Sequence, residues 1–224
     1  MAGSTRLDLS GRADKRTLRE QARLIIRSGI VTGLLIPGEM YTVGQLAEQI
    51  GVSVTPVREA LMDLGSQGLI EVMANRGVRV PILTHHDLNE LFELRVMLEV
   101  TALEQLALTA TPADLQPFRE VCAKNQEYAE AGDIRGFLET DRQFHLGLIG
   151  LLGNGRLVKF VDELRDLVRI GTVIAAEFAE EHSRLLDAIE ARDSALTREI
   201  MMAHLVRVRA SWNVEDDSVG NGRA

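Results

Sequence analysis

The chain is short of cysteine, of long apolar runs and of positive charge, and each shortage excludes something. Its one cysteine, Cys122, has no partner for an intramolecular disulfide, so a disulfide-stapled secreted scaffold is ruled out. The first residues carry no apolar stretch of the secretory type, and together with the lone thiol this leads to the expectation of a reducing, cytoplasmic compartment. The longest apolar stretch, FHLGLIGLL at 144–152, is about half of the ~20 residues a membrane-spanning helix needs, so no transmembrane helix is expected. Glycine (19) and proline (5) are too few among 224 residues for a disordered or fibrous chain. What remains, 46% hydrophobic and 26% charged residues, is the composition of a packed globular protein.

The net charge of −8 speaks weakly against nucleic acid as a partner, but it is an average over two unlike halves. Residues 1–80 carry 10 Lys+Arg and 8 Asp+Glu, a balance of +2, whereas residues 81–224 carry 15 and 25, a balance of −10. A mildly basic module is joined to an acidic one, and the two are expected to have different partners.

The order of local signals supports that division. Residues 1–14 are small and polar and read as a flexible arm. Leu18, Ala22, Ile25 and Ile26 recur at helical spacing between Lys15 and Ser28. Pro37-Gly38 marks a turn, and VGQLAEQI at 43–50 forms a second short helix ended by Gly51. Ser53 and Thr55 can each cap a third helix, with Pro56 in its first turn, Glu59 within capping-box reach and Gly68 beyond its end. The β-prone runs LIEVM (69–73) and GVRVPI (77–82), separated by Ala74-Asn75-Arg76, form a hairpin. Three helices followed by a hairpin outline a winged helix-turn-helix domain over residues 15–82.

Beyond Pro81 and the Thr84 cap there are no strand signals. Helical stripes cover about 85–109, 112–131, 133–152, 155–178, 180–191 and 194–212, punctuated by Thr111-Pro112, Gly132-Asp133, Gly153-Asn154-Gly155 and Asp193-Ser194. The fold class is therefore mainly α: the winged helix, then an all-α bundle of about six to seven helices over 83–212, with Trp212 packed on it and a frayed tail at 213–224.

In a helix-turn-helix the N-terminal residues of the recognition helix approach base edges, and arginines and helix N-termini hold phosphates. Ser53, Val54, Thr55 and Arg58 occupy those positions, and Arg76, Gly77 and Arg79 lie at the wing. A helical and hairpin module for protein contact is the alternative. The motifs PGE (37–39), LAEQIGVS (46–53), TPVREAL (55–61), GLIE (68–71) and NRG (75–77) resemble the winged-helix domain of the GntR family of bacterial transcription regulators. The resemblance implies that Arg58 contacts DNA, that Thr55 faces phosphate and that Gly77 is the wing-tip glycine. Two positions depart from the pattern: the family commonly has arginine where this chain has Val54, and some members have arginine where Gly44 stands.

Polar residues that interrupt apolar stripes carry the second signal. Asp141 and His145, four apart and so one turn apart on one face, fill the two steps missing from the stripe Ile134, Phe137, Leu138, Leu148, Leu152. His182 shares a stripe with Leu185, Leu186 and Ile189, and His204 with Leu196, Ile200 and Val208. Any one inward histidine is more often a hydrogen-bonded core residue. An unpartnered buried carboxylate is costly, however, and one Asp with three His converging in a bundle is a ligand set for a divalent transition metal such as zinc, nickel or manganese. DRQFHLGLIGLLGN (141–154), Glu181-His182 and the distal His204 resemble the FCD domain, the effector-binding domain of the FadR-like branch of GntR regulators. In its metal-binding members the equivalents of Asp141, His145, His182 and His204 are implied to ligate the metal.

Arg95 interrupts the stripe Leu88, Leu91, Leu98, Ala102. One reading is an internal salt bridge to Glu99; the resemblance implies instead that Arg95 faces an effector pocket, where a guanidinium grips a carboxylate bidentately. Asn154 is a loop residue with a weaker claim on the same pocket, and His85 and His86 read as linker. The function expected is a ligand-responsive transcription regulator, a repressor, that binds a palindromic operator as a homodimer and senses a small carboxylate through a metal-containing pocket. The alternatives are a metal-dependent hydrolase-type enzyme with an appended winged helix, for which no general base has a clear assignment, and a metal that is only a structural staple.

Overall fold

The computed structural model describes residues 17–74, 76–167 and 175–210. The arm at 1–14, Asn75, Trp212 and the tail at 213–224 lie outside the described residues. The chain divides into two compact units between Ile82 and Leu83.

In the first unit, α1 (Leu18–Val31), α2 (Val43–Ile50) and α3 (Val54–Ser66) precede the wing strands β2 (Glu71–Met73) and β3 (Gly77–Arg79). Helix α1 begins at its Thr17 cap and runs through Gly29, which is buried. That extends it past Ser28, the end of the helical spacing read from the sequence. Thr42 and Gln45 close a reciprocal capping box at the start of α2, and Gly51 ends the helix in the left-handed conformation glycine tolerates best. Helix α3 packs on both α1 and α2, burying Val57, Ala60, Leu61 and Leu64 against Ala22, Ile26, Leu46 and Ile50 of the unit's core. A feature absent from the sequence reading is β1 (Met40–Tyr41), which pairs antiparallel with β3 to give a three-stranded sheet in the order β1-β3-β2. Two residues are too few for periodicity to register. Gly77 shows why this corner needs glycine: its φ is +120°, and a Cβ there would lie 2.3 Å from the Tyr41 carbonyl oxygen.

The second unit is helical: α4 (His85–Arg95), α5 (Thr101–Thr109), α6 (Pro112–Ala131), α7 (Ile134–Gly150), α8 (Gly155–Leu167), α9 (Ala175–Glu190) and α10 (Ser194–Ala210). Capping boxes at Thr84/Asp87 and Thr111/Asp114 start α4 and α6. Two expectations are corrected. Helix α9 runs unbroken through residues 178–180, where a boundary was expected. The single helix expected over 85–109 carries a π turn at Val96–Val100 between α4 and α5. Such wide turns concentrate at functional sites, and this one spans the interval between Arg95 and Glu99.

Helix α6 packs against α7 and α9, and α10 packs against α5 and α9. Phe137, Phe144, Leu148 and Ile149 of α7 are wholly buried, each stabilising the fold by about 1.5–3 kcal/mol relative to exposure. A Cβ at Gly147 would come within 2.5 Å of the Phe118 ring, so glycine there permits the close approach of α6 to α7. Those two helices, with α8, α9 and α10, surround the polar residues described next.

Candidate DNA-reading surface and candidate metal centre

Helix α3 starts at its cap position, Ser53, whose side chain makes no capping bond, so Val54 rather than Thr55 opens the helix. The Ser53 hydroxyl is therefore not engaged in a cap. Ser53, Val54, Thr55 and Arg58 are all exposed, as is Arg76 at the wing, while Val57, Ala60 and Leu61 turn inward. The helix thus presents its N-terminal polar residues and Val54, 41% exposed, on the side away from the core. Arg79 does not stand free: its guanidinium binds Glu71 across the hairpin through Nε at 2.8 Å and Nη2 at 2.5 Å. A Cβ at Gly44 would meet nothing within 4 Å, so the side chain missing there leaves no packing defect.

In the second unit Asp141 and His145 of α7, His182 of α9 and His204 of α10 come together. One ligand atom from each lies within 4.8 Å of the others, and all four residues are buried. His145 Nε2 is 3.1 Å from His182 Nε2, and Asp141 Oδ1 is 3.4 Å from His182 Nε2 and 3.7 Å from His145 Nε2. Phe144 stacks on the His182 ring, and Phe178 meets His204 edge-on. Burial, then the nearby Arg165 charge, holds the His145 imidazole well below its usual pKa; burial also lowers that of His204. Both rings are therefore neutral at physiological pH, the form that ligates metal. Burial alone would raise the Asp141 pKa, but the nearby Arg165 guanidinium outweighs it and holds the carboxyl well below the usual range.

Two arginines adjoin this cluster. Arg165 Nη2 binds Asp141 Oδ2, and its Nη1 binds Glu99 Oε2 at 2.9 Å. Arg95 Nε binds the other Glu99 oxygen at 2.5 Å, with Glu99 fully buried. The Arg95–Glu99 bridge, one of two readings of Arg95, is thus present, and Glu99 links Arg95 to the cluster. Around the outside, His182 Nδ1 faces Asn125 Oδ1 at 3.2 Å and His204 Nδ1 faces Glu181 Oε2 at 2.8 Å. Asn154, read as a loop residue with a weaker claim on the pocket, is exposed in the loop, its Oδ1 accepting the Leu157 N–H at 3.1 Å at the start of α8.

Sequence reasoning missed Glu99's second role, Arg165, Asn125 and the contact of Glu181. The signal was available for two of them: Arg165 continues the stripe Val158, Val161 of α8, and Asn125 the stripe Phe118, Val121, Cys122 of α6. The residues fit a divalent cation on an observation independent of any resemblance. His145 Nε2, His182 Nε2 and Asp141 Oδ1 lie 3.1, 3.4 and 3.7 Å from one another in the core, so acceptor atoms face each other at close range, an arrangement that is expensive in a protein core unless a cation is shared among them. Imidazole and carboxylate donors converging on one point are the chemistry of zinc, nickel and manganese sites.

Comparison with known proteins bears on both units. Residues 18–80 match the family described as "Bacterial regulatory proteins, gntR family", and residues 90–207 match the family described as "FCD domain". The chain is similar to the "Nta operon transcriptional regulator" of Aminobacter aminovorans, 30% identical over 175 residues covering 75% of this chain and 82% of that one. It is also similar to the "HTH-type transcriptional regulator McbR" of Escherichia coli, 28% identical over 219 residues covering 91% and 98%. A solved structure of the E. coli McbR/YncC protein superposes with a TM-score of 0.77 at 27% identity, covering 87% of this chain and 96% of that one.

Proposed function

Because the chain belongs to the gntR family of bacterial regulatory proteins and carries an FCD domain, we propose that it is a metal-dependent sensor of a small carboxylate. It is a DNA-binding transcription regulator and not an enzyme, as its families and relatives are. No helix among the described residues is long and apolar enough to cross a membrane. In the proposed reading it acts as a homodimeric repressor in the cytoplasm, with two α3 helices on the half-sites of a palindrome. Arg58 holds DNA with Ser53 and Thr55 beside it, Val54 packs on a thymine methyl where an arginine would suit guanine, and Arg76 and Gly77 at the wing approach the adjoining backbone.

One observation supports the sensing half of this reading: four buried ligand atoms within 4.8 Å of one another beside a buried guanidinium pair. Asp141, His145, His182 and His204 would hold the ion, which when bound supplies a Lewis-acid anchor for a carboxylate oxygen. The surrounding charges favour an anion there. Arg95 and Arg165 balance Glu99 and Asp141, so a divalent cation leaves two positive charges uncompensated in a water-poor core, a state an entering carboxylate relieves. Arg95 and Arg165 would receive the rest of the effector in exchange for Glu99.

The test is DNA-binding affinity of the full chain on a duplex selected from a random pool, measured with zinc, nickel or manganese and a panel of mono- and dicarboxylates. A carboxylate that weakens DNA binding only when metal is present is the expected result. Full DNA affinity that no carboxylate alters in the metal-loaded protein would leave the ion as a structural staple and sink the sensor reading.

A further inference from the structure

The cluster contains three histidines, and a histidine ligates a metal through a given nitrogen only if the proton sits on the other one. Which nitrogen carries the proton is decided here by partners outside the ligand set. Asn125 is fully buried in α6. Its Nδ2 donates to the Phe137 carbonyl at 3.0 Å and to Thr140 Oγ1 at 2.8 Å, and Thr140 in turn donates to the Gly136 carbonyl at 2.8 Å. A backbone carbonyl can only accept, so the amide orientation is forced and Oδ1 is the atom that faces His182 Nδ1. That contact is a hydrogen bond only if His182 Nδ1 donates, which leaves its Nε2 bare.

The same logic holds at His204 with a different acceptor. Glu181 Oε1 binds Arg207, and its Oε2 faces His204 Nδ1 at 2.8 Å. A carboxylate can only accept, so His204 Nδ1 carries the proton and its Nε2 is bare too. His145 has no such partner: its Nδ1 is unbonded, and the nearest carboxylate oxygen, Glu99 Oε2, is 4.0 Å away and already taken by Arg165. Without an ion, His145 Nε2 can donate to the bare His182 Nε2 at 3.1 Å only by leaving its own buried Nδ1 without a donor.

We propose that Asn125 and Glu181 are positioning residues of the metal centre, each locking one histidine as its Nδ1–H tautomer and so committing that histidine's Nε2 to the ion. This rests on the metal reading above and adds an inequality to it. His182 and His204 are set in advance by the fold, one by a neutral amide and one by a carboxylate, whereas His145 is set only by the ion. The charged acceptor makes the stronger bond and the more basic ligand, so Glu181 has the larger influence on metal affinity.

Two measurements on the full chain test this. Chelator competition with Zn(II) compares wild type with Glu181→Gln, which keeps a neutral acceptor, and Glu181→Leu, which keeps none. Loss of such a partner weakens metal affinity by about 10–100-fold; Glu181→Leu should fall in that range and Glu181→Gln between it and wild type. Independently, 15N spectra of the imidazoles in the metal-free wild type should show His182 and His204 as Nδ1–H tautomers. Wild-type zinc affinity in Glu181→Leu, or an Nε2–H tautomer at His204 or His182 in the metal-free protein, overturns the positioning role while leaving the metal reading intact. A wild type that takes up no zinc overturns both.

Discussion

In the winged-helix unit Ser53, Val54, Thr55, Arg58 and Arg76 all stand in solvent, whereas in the helical bundle Asp141, His145, His182 and His204 are all buried. The difference follows from what each site has to meet. A duplex is larger than the domain that reads it, so the reading residues must project from a scaffold whose core, Val57, Leu61 and Leu64 of the same helix, owes nothing to them. A small ligand or ion can be surrounded, and the groups that surround it must then replace water on every side. Hence the exposed site consists of side chains that need few partners, and the buried one is a web in which Arg95, Glu99, Arg165, Asp141, Asn125 and Glu181 each hold something else in place. The exposed residues can be exchanged one at a time; the buried ones cannot.

The largest effect should come from cutting that web. Arg165→Leu leaves Glu99 and Asp141 short of their cation in the core, and removal of one partner from a buried ion pair costs about 3–5 kcal/mol. Denaturant unfolding should show that loss, while Arg79→Ala, which breaks the exposed pair with Glu71, should cost less than about 1 kcal/mol. Similar losses for the two would erase the contrast between the units. Next in size is Gly77→Ala, which forces a Cβ into the Tyr41 carbonyl at a positive φ. It should destabilise the winged helix by about 1–3 kcal/mol and leave metal uptake by the bundle unchanged. Arg58→Ala should weaken DNA binding by about 1–3 kcal/mol, roughly 5- to 150-fold, with no change in melting temperature; a lower melting temperature would mean that Arg58 is structural. The smallest effect on affinity belongs to Val54→Arg, which should move sequence preference toward guanine in selection from random duplexes. An unchanged preferred site would show that position 54 does not face bases.

The same contrast explains what could be read before the fold was known. The helices of the first unit were legible because caps and glycines punctuate them locally: Thr42 with Gln45 at the start of α2 and Gly51 at its end each act within a few residues. The unit's two-residue strand β1 was not, since it exists only through pairing with β3 far along the chain. In the bundle, polar residues on apolar stripes marked Asp141, His145, His182, His204 and Arg95, because an inward polar residue breaks a helical period visibly. Arg165 in α8 and Asn125 in α6 break their stripes in the same way. Which partner each would find, Glu99 for both arginines or Glu181 for His204, is a tertiary fact that no spacing along one helix contains. Val54 shows the converse case. It departs from the arginine common at this position in the family, yet it is exposed beside Ser53 and Thr55 at the start of α3, away from the unit's core.

Metal content decides whether the buried Asp-His cluster is a metal centre. The full chain and its His145→Ala variant would be loaded with Zn(II), Ni(II) or Mn(II), freed of excess ion and analysed for metal per chain, with melting recorded before and after chelation. One ion per wild-type chain is expected, with a melting temperature that falls on chelation, and loss of both in the variant. A wild type that retains no ion, or a variant that retains as much as wild type, would contradict it.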